Sequence, residues 1–379
     1  MSKLVGRMYE AFPYPPPTYD LEQAIADGGY QVGDPTFWAP LLWPEGRPGG
    51  TLKILVAGCG TTQAAWFAFT NRNCNVVGVD LSQESLAHAR YLQDKHDLQN
   101  LRLFRGDLRE IEDLGERFDL VICTGVLHHM ADPNDGMRAL ANVMQPSAAL
   151  ACMLYGATLR TGVYMVQDVF RRLGVTADAD GVVFARQILA SLPDWHFVRT
   201  YIRQAGELQH DAALADTFLH PQDRAYTVPQ LLELVEGAGL HFQGWLDNST
   251  YYPEGVAWLP AELAERIASL PPREQWAAME MINPALSTHY FFVRKAPPPS
   301  LSFEQPDMLV PSHRPGLRRT GPHQYSRAGR VFTLTADDAA LFEEADGARS
   351  VLDLGDAHGL FERLWKQGHV LLSLRSPPS

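Results

Sequence analysis

The sequence predicts an α/β fold in which a mostly parallel sheet carries helices on both of its faces. From Thr51 onwards, short apolar runs alternate with helical patterns, and the runs read LKILVAG, NVVGVDL, LRLFRGD, FDLVICTG and ALACMLYG. They are almost continuously hydrophobic, as are parallel strands that are buried on both faces. A glycine-rich turn follows the first run directly, at the strand end where such sheets collect their ligands. We therefore expect five parallel strands before residue 156.

The alternation is interrupted by a long helix-rich segment. Residues 157–224 contain no comparable series of strand-like runs, and these runs resume after residue 225 with HFQGWLD and THYFFVRK. We expect residues 51–156 and 225–295 to form one Rossmann-like domain and residues 157–224 to form a helical insertion. Loops at the strand ends of such domains usually carry function, so the insertion is predicted to line the substrate site.

Three further segments flank this domain. Residues 1–50 are rich in proline and aromatic residues and are predicted to form an N-terminal lid. Residues 296–328 are Pro-rich and lack periodicity, which is typical of an extended linker. Residues 329–379 combine two helical patterns with the strand-like runs VFTLT and HVLLSLR, so we expect a small winged-helix-like α+β domain.

Charge and composition narrow the class of protein. The chain has 32 Lys and Arg against 44 Asp and Glu, a net charge of −12, which argues against nucleic acid as a partner. The basic stretch 313–330 is interpreted as a solvated linker or, alternatively, a contact for an acidic partner. No run is apolar enough to cross a bilayer and no apolar leader is present, so a cytoplasmic protein that does not contact membranes is expected. The four cysteines match neither a disulfide framework nor a zinc pattern and are predicted to be buried thiols.

The strongest chemical signal is the turn after the first strand, which contains Gly58 and Gly60. Glycines permit positive φ and a close approach of the backbone to a ligand, and the N–H groups at a helix start attract negative charge. Asp80 ends the second strand, where an acidic side chain can accept hydrogen bonds from both hydroxyls of a ribose. The turn and the acid together predict a nucleoside-containing cofactor.

The residues around the turn distinguish between two such cofactors. The NAD fingerprint requires glycine at position 63, where this chain has Gln63, so NAD is disfavoured. Asp107 ends the third strand and is placed to accept a hydrogen bond from the exocyclic amine of an adenine. The loop 124–133 after the fourth strand is then expected to face the reactive sulfonium of S-adenosylmethionine.

Taken in order, the segments ILVAGCGTT, VVGVDLS, FRGDL and FDLVICTGVLHHM resemble the motifs of class I S-adenosylmethionine-dependent methyltransferases. The resemblance implies that the glycine turn holds the methionine part of the cofactor and that the acids hold its ribose and adenine. It assigns S-adenosylmethionine binding to Gly58, Cys59, Gly60, Asp80, Leu81, Asp107, Leu108 and Thr124. The N-terminal Tyr9 and Tyr14 are expected either to fold over the cofactor or simply to pack.

Two positions depart from the commonest pattern of that family. Val56 stands where many members have an acid that contacts the methionyl amine, and Thr62 stands where a third glycine is usual. The methionine end of the cofactor is therefore expected to be held differently or more weakly.

Methyl transfer from a sulfonium requires alignment and exclusion of water rather than a metal, so no metal is predicted. His128 and His129 follow the fourth strand, where one of them is a candidate base near neutral pH or both only support the loop. Tyr164 is a further catalytic candidate. Candidate substrate residues are Arg160, Asp216, His220 and Tyr226, for which ordinary packing and loop hydrogen bonds are the alternative.

The C-terminal unit resembles the winged-helix domain that closes some bacterial protein-lysine methyltransferases. This resemblance implies methylation of a nitrogen in a peptide or protein side chain. The alternatives are a small-molecule methyltransferase, an NAD-dependent oxidoreductase, which Gln63 disfavours, and a non-catalytic protein that binds S-adenosylmethionine.

Overall fold

The structure is a computed structural model that describes residue 8, residues 11 and 12, and residues 17–375. A seven-stranded sheet with the order β3-β2-β1-β4-β5-β7-β6 forms its centre. Its strands are β1 Lys53–Ala57, β2 Asn75–Asp80, β3 Leu101–Arg105, β4 Phe118–Thr124, β5 Met144–Tyr155, β6 His241–Trp245 and β7 Thr288–Arg294.

The first five strands are parallel, as predicted, and β7 runs antiparallel between β5 and β6. From β1 the chain adds β2 and β3 on one side of the sheet and then β4 and β5 on the other. Open α/β sheets bind ligands at such a switch point. Because helices cover both faces, β1 and β4 are buried almost throughout and contribute to two separate hydrophobic cores. The predicted Rossmann-like α/β fold is confirmed.

Fourteen α-helices surround the sheets in the described part of the chain. They are α1 Leu21–Ala26, α2 Pro35–Leu42, α3 Gln63–Thr70, α4 Gln83–Lys95, α5 Pro133–Asn142, α6 Ala157–Arg172, α7 Ala179–Ser191, α8 Val198–Gln204, α9 Asp211–Phe218, α10 Val228–Gly237, α11 Ala261–Ala268, α12 Pro272–Ile282, α13 Ala336–Glu343 and α14 Leu360–Lys366. Short 3-10 turns lie at Leu108–Leu114, Leu127–His129, Gly206–Gln209, Asn248–Thr250 and Pro253–Gly255. The thiols of Cys59, Cys74, Cys123 and Cys152 are free and buried, as expected.

Part of the predicted N-terminal lid belongs to the core of the domain. Trp38, Leu42 and Trp43 are buried in the cluster that contains Ile54 of β1. The indole of Trp43 donates to the carbonyl of Ser147, 104 residues further along the chain. The aromatic residues and prolines of residues 1–50 form no periodic pattern, so the sequence did not predict that part of this segment packs in the core against the sheet.

The helices α6 to α9 form the expected insertion with a core of its own, made by residues such as Val163, Phe170, Leu189 and Phe218. Gly162 of α6 lies so close to α8 that an added Cβ would approach the backbone nitrogen of Val198 to 2.2 Å. The insertion is therefore a packed helical unit that begins where β5 ends.

The predicted linker 296–328 is wrong in its second half, which contains three strands. They are β8 Leu309–His313, β9 Arg318–Gly321 and β10 Gln324–Arg327, and two more follow, β11 Arg330–Thr333 and β12 Val370–Leu374. β8 pairs with β12, so that Ser312 lies opposite Leu371. Such a strand is stabilised by a partner about 60 residues away, which a local pattern does not show.

The C-terminal unit also differs from the helix-then-hairpin order of the expected winged helix. Its three-stranded antiparallel sheet, β11-β10-β9, precedes α13 and α14 instead of following them. The last strand, β12, pairs with β8, and its residue Leu371 packs in the core of the main domain. The unit is thus an α+β appendage that shares core residues with the domain it follows.

The basic stretch 313–330 finds its acidic partner within the chain. The Arg327 guanidinium lies 2.7 Å from the carboxylate of Asp247, just after β6, and Arg330 donates to the hydroxyl of Ser249. The buried guanidinium of Arg314 donates to the carbonyl of Leu246 and lies over the ring of Trp38. The interpretation as a solvated linker is therefore corrected, because three of these arginines attach the C-terminal unit to the main domain.

No helix among the described residues is long and apolar enough to cross a membrane.

Candidate active site

A cleft of about 370 Å³ opens at the carboxyl ends of the parallel strands. Its volume lies at the small end of the range of about 300 to 1,000 Å³ that is typical of small-molecule and cofactor sites. Ten predicted site residues line it: Gly58, Cys59, Gly60, Asp80, Leu81, Asp107, Leu108, Thr124, His129 and Asp216. The cleft therefore brings together residues from four strand ends and from the helical insertion.

The glycine turn has the backbone geometry that the sequence predicted. Gly58 and Gly60 have φ values of 72° and 54°, in the left-handed region that favours glycine. A Cβ atom on Gly58 would approach the side chain of Val126 to 2.2 Å. The turn thus lets the backbone border the cleft directly at the start of α3, and a bulkier residue would obstruct it.

Asp80 lies at the end of β2, next to this turn. Its two carboxylate oxygens accept from the backbone N–H groups of Gly60 and Ser82, both at 2.8 Å. Burial raises the pKa of Asp80, and these hydrogen bonds partly offset that effect. The carboxylate is therefore held in one orientation beside the cleft, as a ribose-binding acid needs to be.

Asp107 lies at the end of β3, where it caps the following 3-10 turn through the N–H of Arg109. The Arg109 guanidinium also binds this carboxylate at 2.7 Å and holds its pKa well below the ordinary value. Asp107 is consequently ionised at neutral pH and suited to accept hydrogen bonds at the far end of the cleft.

A chain of polar side chains that the sequence did not predict borders the same cleft. The amide nitrogen of Gln63 lies 3.1 Å from Oε1 of Gln31 and 3.0 Å from Oγ1 of Thr124. Gln31 lies in a non-periodic segment, so no sequence signal indicated its place. Val56 is fully buried in the hydrophobic core and does not line the cleft.

Thr62, which stands where a third glycine is usual, makes a contact that glycine could not make. Its hydroxyl accepts from the backbone N–H of Thr18 at 3.3 Å. Met8 lines a second cavity of about 400 Å³ beside the insertion. The described parts of the N-terminal segment therefore reach both the glycine turn and the insertion. Tyr9 and Tyr14 lie outside the described residues, so their predicted contact with the cofactor stays a prediction.

A cluster of buried polar side chains borders one part of the cleft. The hydroxyl of Tyr155 donates to Asp216 at 3.0 Å, and the ring of His129 stacks on that of His220 at 3.9 Å. The ring of His128 packs on Tyr155 at 3.8 Å, away from the cleft. Neither nitrogen of His128 has a hydrogen-bond partner among the described residues.

Burial lowers the pKa of His129 to about 3 and that of His128 well below its ordinary value. Both rings are therefore neutral at pH 7, and both are far weaker bases than a histidine in water. The expectation of a histidine base with a pKa near neutrality is not supported. A neutral His129 can still accept or donate a hydrogen bond in the cleft.

The remaining predicted residues do not line the cleft. Arg160 is buried, pairs with Asp223 at 3.3 Å and lies 3.6 Å above the Tyr155 ring, so it supports that ring from behind. Tyr164 lies beside Arg160, and Tyr226 joins the insertion to β5 through its backbone. His220 lines the second cavity. Arg160 lies behind the cleft because α6 directs its guanidinium toward Asp223. Direct contact of these four residues with substrate stays a prediction.

The two stacked histidines are expected to make stability fall with acid. Burial lowers the pKa of His129 and of His220 to about 3, whereas an unfolded histidine has a pKa of about 6.5. The unfolded state therefore binds more protons below about pH 6.5, so each ring reduces the free energy of unfolding by up to about 1.4 kcal/mol per pH unit as the pH falls toward 3. Urea unfolding between about pH 7 and about pH 5 measures this slope. The variant His220→Gln should flatten it, and an unchanged slope would show that His220 is not buried as a neutral ring.

Comparisons with known proteins find a methyltransferase domain in this chain. Residues 55–150 match the methyltransferase-domain family. An uncharacterized protein of Synechococcus sp. is 29% identical over 333 residues, which cover 82% of this chain and 76% of that protein. The ubiquinone biosynthesis O-methyltransferase of Idiomarina loihiensis is 32% identical over 102 residues, 26% of this chain but only 40% of that enzyme. The structure of PKMT2 from Rickettsia typhi has a TM-score of 0.68 at 16% identity and covers 96% of this chain and 78% of that one.

The sheet order, the glycine turn and the matched domain define a Rossmann-like methyltransferase fold. The chain is a class I S-adenosylmethionine-dependent methyltransferase, and S-adenosylmethionine is its cofactor.

Proposed function

We propose that this enzyme methylates a nitrogen in the side chain of a peptide or protein. The observation that carries the proposal is the outer face of α6. This helix begins directly at the end of β5, next to the cleft, and it is apolar on two sides. Its inner face packs Val163, Val166 and Phe170 into the core of the insertion.

The outer face of α6 presents Met165 and Val169, and Leu173, the residue that caps the end of the helix, continues the row; they are 45%, 48% and 63% exposed. Their spacing of four residues places them in one stripe along the helix. Trp195 and Phe197, between α7 and α8, are 83% and 69% exposed. A surface helix normally carries polar residues on its outer side, so such a stripe favours a protein partner that covers it.

Similarity in fold to PKMT2 from Rickettsia typhi extends over nearly the whole chain and is in keeping with a peptide or protein acceptor. The match to ubiquinone O-methyltransferases is limited to the cofactor-binding part, which different acceptors can share. A small-molecule acceptor is accordingly the alternative outcome.

In the proposed reaction the cofactor supplies an electrophilic methyl group, and the chain supplies alignment and a dry environment. We propose that the assigned cofactor residues, Asp80 and Asp107 among them, bind the cofactor. An acceptor amine attacks only in its neutral form. We propose that the buried surroundings of His129 and Tyr155 favour that form by withholding water from the ammonium, since burial disfavours a charged amine.

The test uses methyl-labelled S-adenosylmethionine with an array of peptides that each contain one lysine, arginine, histidine or glutamine, and with a panel of small phenols and amines. Base-stable label on one peptide class is expected. The variant Leu173→Asp should lower peptide methylation at least about tenfold, equivalent to about 1.4 kcal/mol, without changing S-adenosylhomocysteine affinity. Arg172→Asp places the same charge on the adjacent, already polar position and is the matched control. Label on phenols alone would overturn the proposal.

A further inference from the structure

The backbone N–H and carbonyl of Gln222 each contact one of the two stacked histidines. Its carbonyl oxygen is 3.3 Å from Nδ1 of His129, and its N–H donates to Nδ1 of His220 at 3.0 Å. The two rings lie 3.9 Å apart and nearly parallel. Gln222 follows α9 in the loop that leads to α10, so the insertion supplies this contact.

The direction of each hydrogen bond determines where the ring hydrogen sits. A carbonyl oxygen only accepts, so Nδ1 of His129 must carry a hydrogen. A backbone N–H only donates, so Nδ1 of His220 must carry a lone pair. In a neutral ring the second nitrogen has the opposite character. Nε2 of His129 is then an acceptor, and Nε2 of His220 holds the hydrogen.

Both rings are held in the neutral form by their surroundings. Each is at least 97% buried, and burial lowers each pKa to about 3. The charged or titratable groups around them are Asp216, Tyr155, Arg160 and His128. The Asp216 carboxylate favours a charge on His220, whereas the Arg160 cation disfavours a charge on either ring, and burial outweighs both.

We propose that the backbone of Gln222 fixes His129 and His220 in opposite neutral tautomers, so that Nε2 of His129 is a hydrogen-bond acceptor and Nε2 of His220 is a donor. The inference rests on these two backbone contacts and not on the identity of the methyl acceptor. Gln222 is then a positioning residue for the two rings.

The same contacts argue against a metal ion at this cluster. One ligand atom each from His129, Asp216 and His220 lies within 4.8 Å of the others, a donor set that transition metals accept. The lone pair of His220, however, already accepts the N–H of Gln222. A metal on Nε2 would require the hydrogen to move to Nδ1, where it would face that N–H.

The experiment is a long-range proton–nitrogen NMR correlation on the full chain with ¹⁵N-labelled histidine, without cofactor, at about pH 7. The spectra of His129→Gln and His220→Gln assign the two rings. The expected spectrum shows hydrogen on Nδ1 of His129 and on Nε2 of His220. Identical tautomers, a cationic ring, or one bound metal ion per chain in the purified protein would overturn the proposal.

A second pair of variants tests the role of Gln222. Gln222→Pro removes the N–H and keeps the carbonyl, whereas Gln222→Ala keeps both and is the matched control. The proline variant should shift the His220 nitrogens toward the average of two tautomers while His129 stays unchanged. An unchanged His220 pattern would contradict the role of Gln222. If the proline variant does not fold, the wild-type spectrum alone decides. These readouts need no acceptor, so the tautomers can be confirmed even if peptide methylation fails.

Discussion

Asp80→Asn is expected to weaken S-adenosylhomocysteine binding by about 1 to 3 kcal/mol, roughly 5- to 150-fold, because it removes charge-assisted hydrogen bonds to the ribose. The carboxylate is already oriented by the N–H groups of Gly60 and Ser82. The amide that replaces it has one acceptor oxygen, so it cannot both keep the turn in place and accept from two hydroxyls. Isothermal titration calorimetry of the full chain measures the change.

Asp119→Asn is the matched control for this measurement. Asp119 also accepts a backbone N–H, from Lys53 at 2.9 Å, but it lies near the start of β4 and does not line the cleft. Its substitution should leave the affinity within about twofold, or about 0.4 kcal/mol. Equal losses in both variants would indicate a general loss of folding, and an unchanged affinity in Asp80→Asn would contradict the placement of the ribose.

Arg327→Ala is expected to lower the free energy of unfolding by about 2 to 3 kcal/mol. The Arg327 guanidinium is buried and binds Asp247 at 2.7 Å, and it holds the pKa of that carboxyl below its ordinary value together with Arg314. Removing it leaves a largely enclosed carboxylate with a weaker partner. This loss of unfolding free energy is smaller than that expected for a fully buried ion pair, because the Asp247 side chain is 33% exposed. Urea unfolding followed by circular dichroism measures the change.

Arg318→Ala provides the comparison, since Arg318 belongs to the same small sheet but is exposed. It should cost less than about 0.5 kcal/mol, as is usual for surface positions. Cofactor affinity should stay unchanged in both variants, because neither arginine lines the cleft. If the two variants lost equal stability, the contact between Arg327 and Asp247 would not hold the C-terminal unit to the domain.

The sequence predicted the parts of this protein that depend on local pattern. Five parallel strands, the glycine turn and the acids that end β2 and β3 lie where hydrophobic runs and their terminal residues placed them. Parallel strands aligned in one sheet necessarily bring their carboxyl ends to the same edge. Residues at consecutive strand ends could therefore be assigned to one cleft without knowledge of the packing.

Local sequence patterns could not predict contacts between segments that lie far apart in the chain. Gln31 borders the cleft from a segment without periodicity, and its contact with Gln63 joins positions 32 residues apart. The strand β8 exists because β12 pairs with it, so proline-rich sequence resembled a linker. Arg160 and Tyr164 stood correctly at the start of the insertion, but only the packing of α6 decided that they lie behind the wall of the cleft.

The sequence by itself determined the α/β fold, because the fold depends on strand patterns, and the resemblance of the motifs that follow those strands to class I S-adenosylmethionine-dependent methyltransferases implied the class of enzyme and its cofactor. The tertiary structure decided the protonation of His129, the partners of the arginines in residues 313–330, and which face of α6 is exposed. Each of these depends on burial, and burial results from contacts between segments far apart in the chain. A histidine becomes a neutral hydrogen-bonding group only when distant segments exclude water from it.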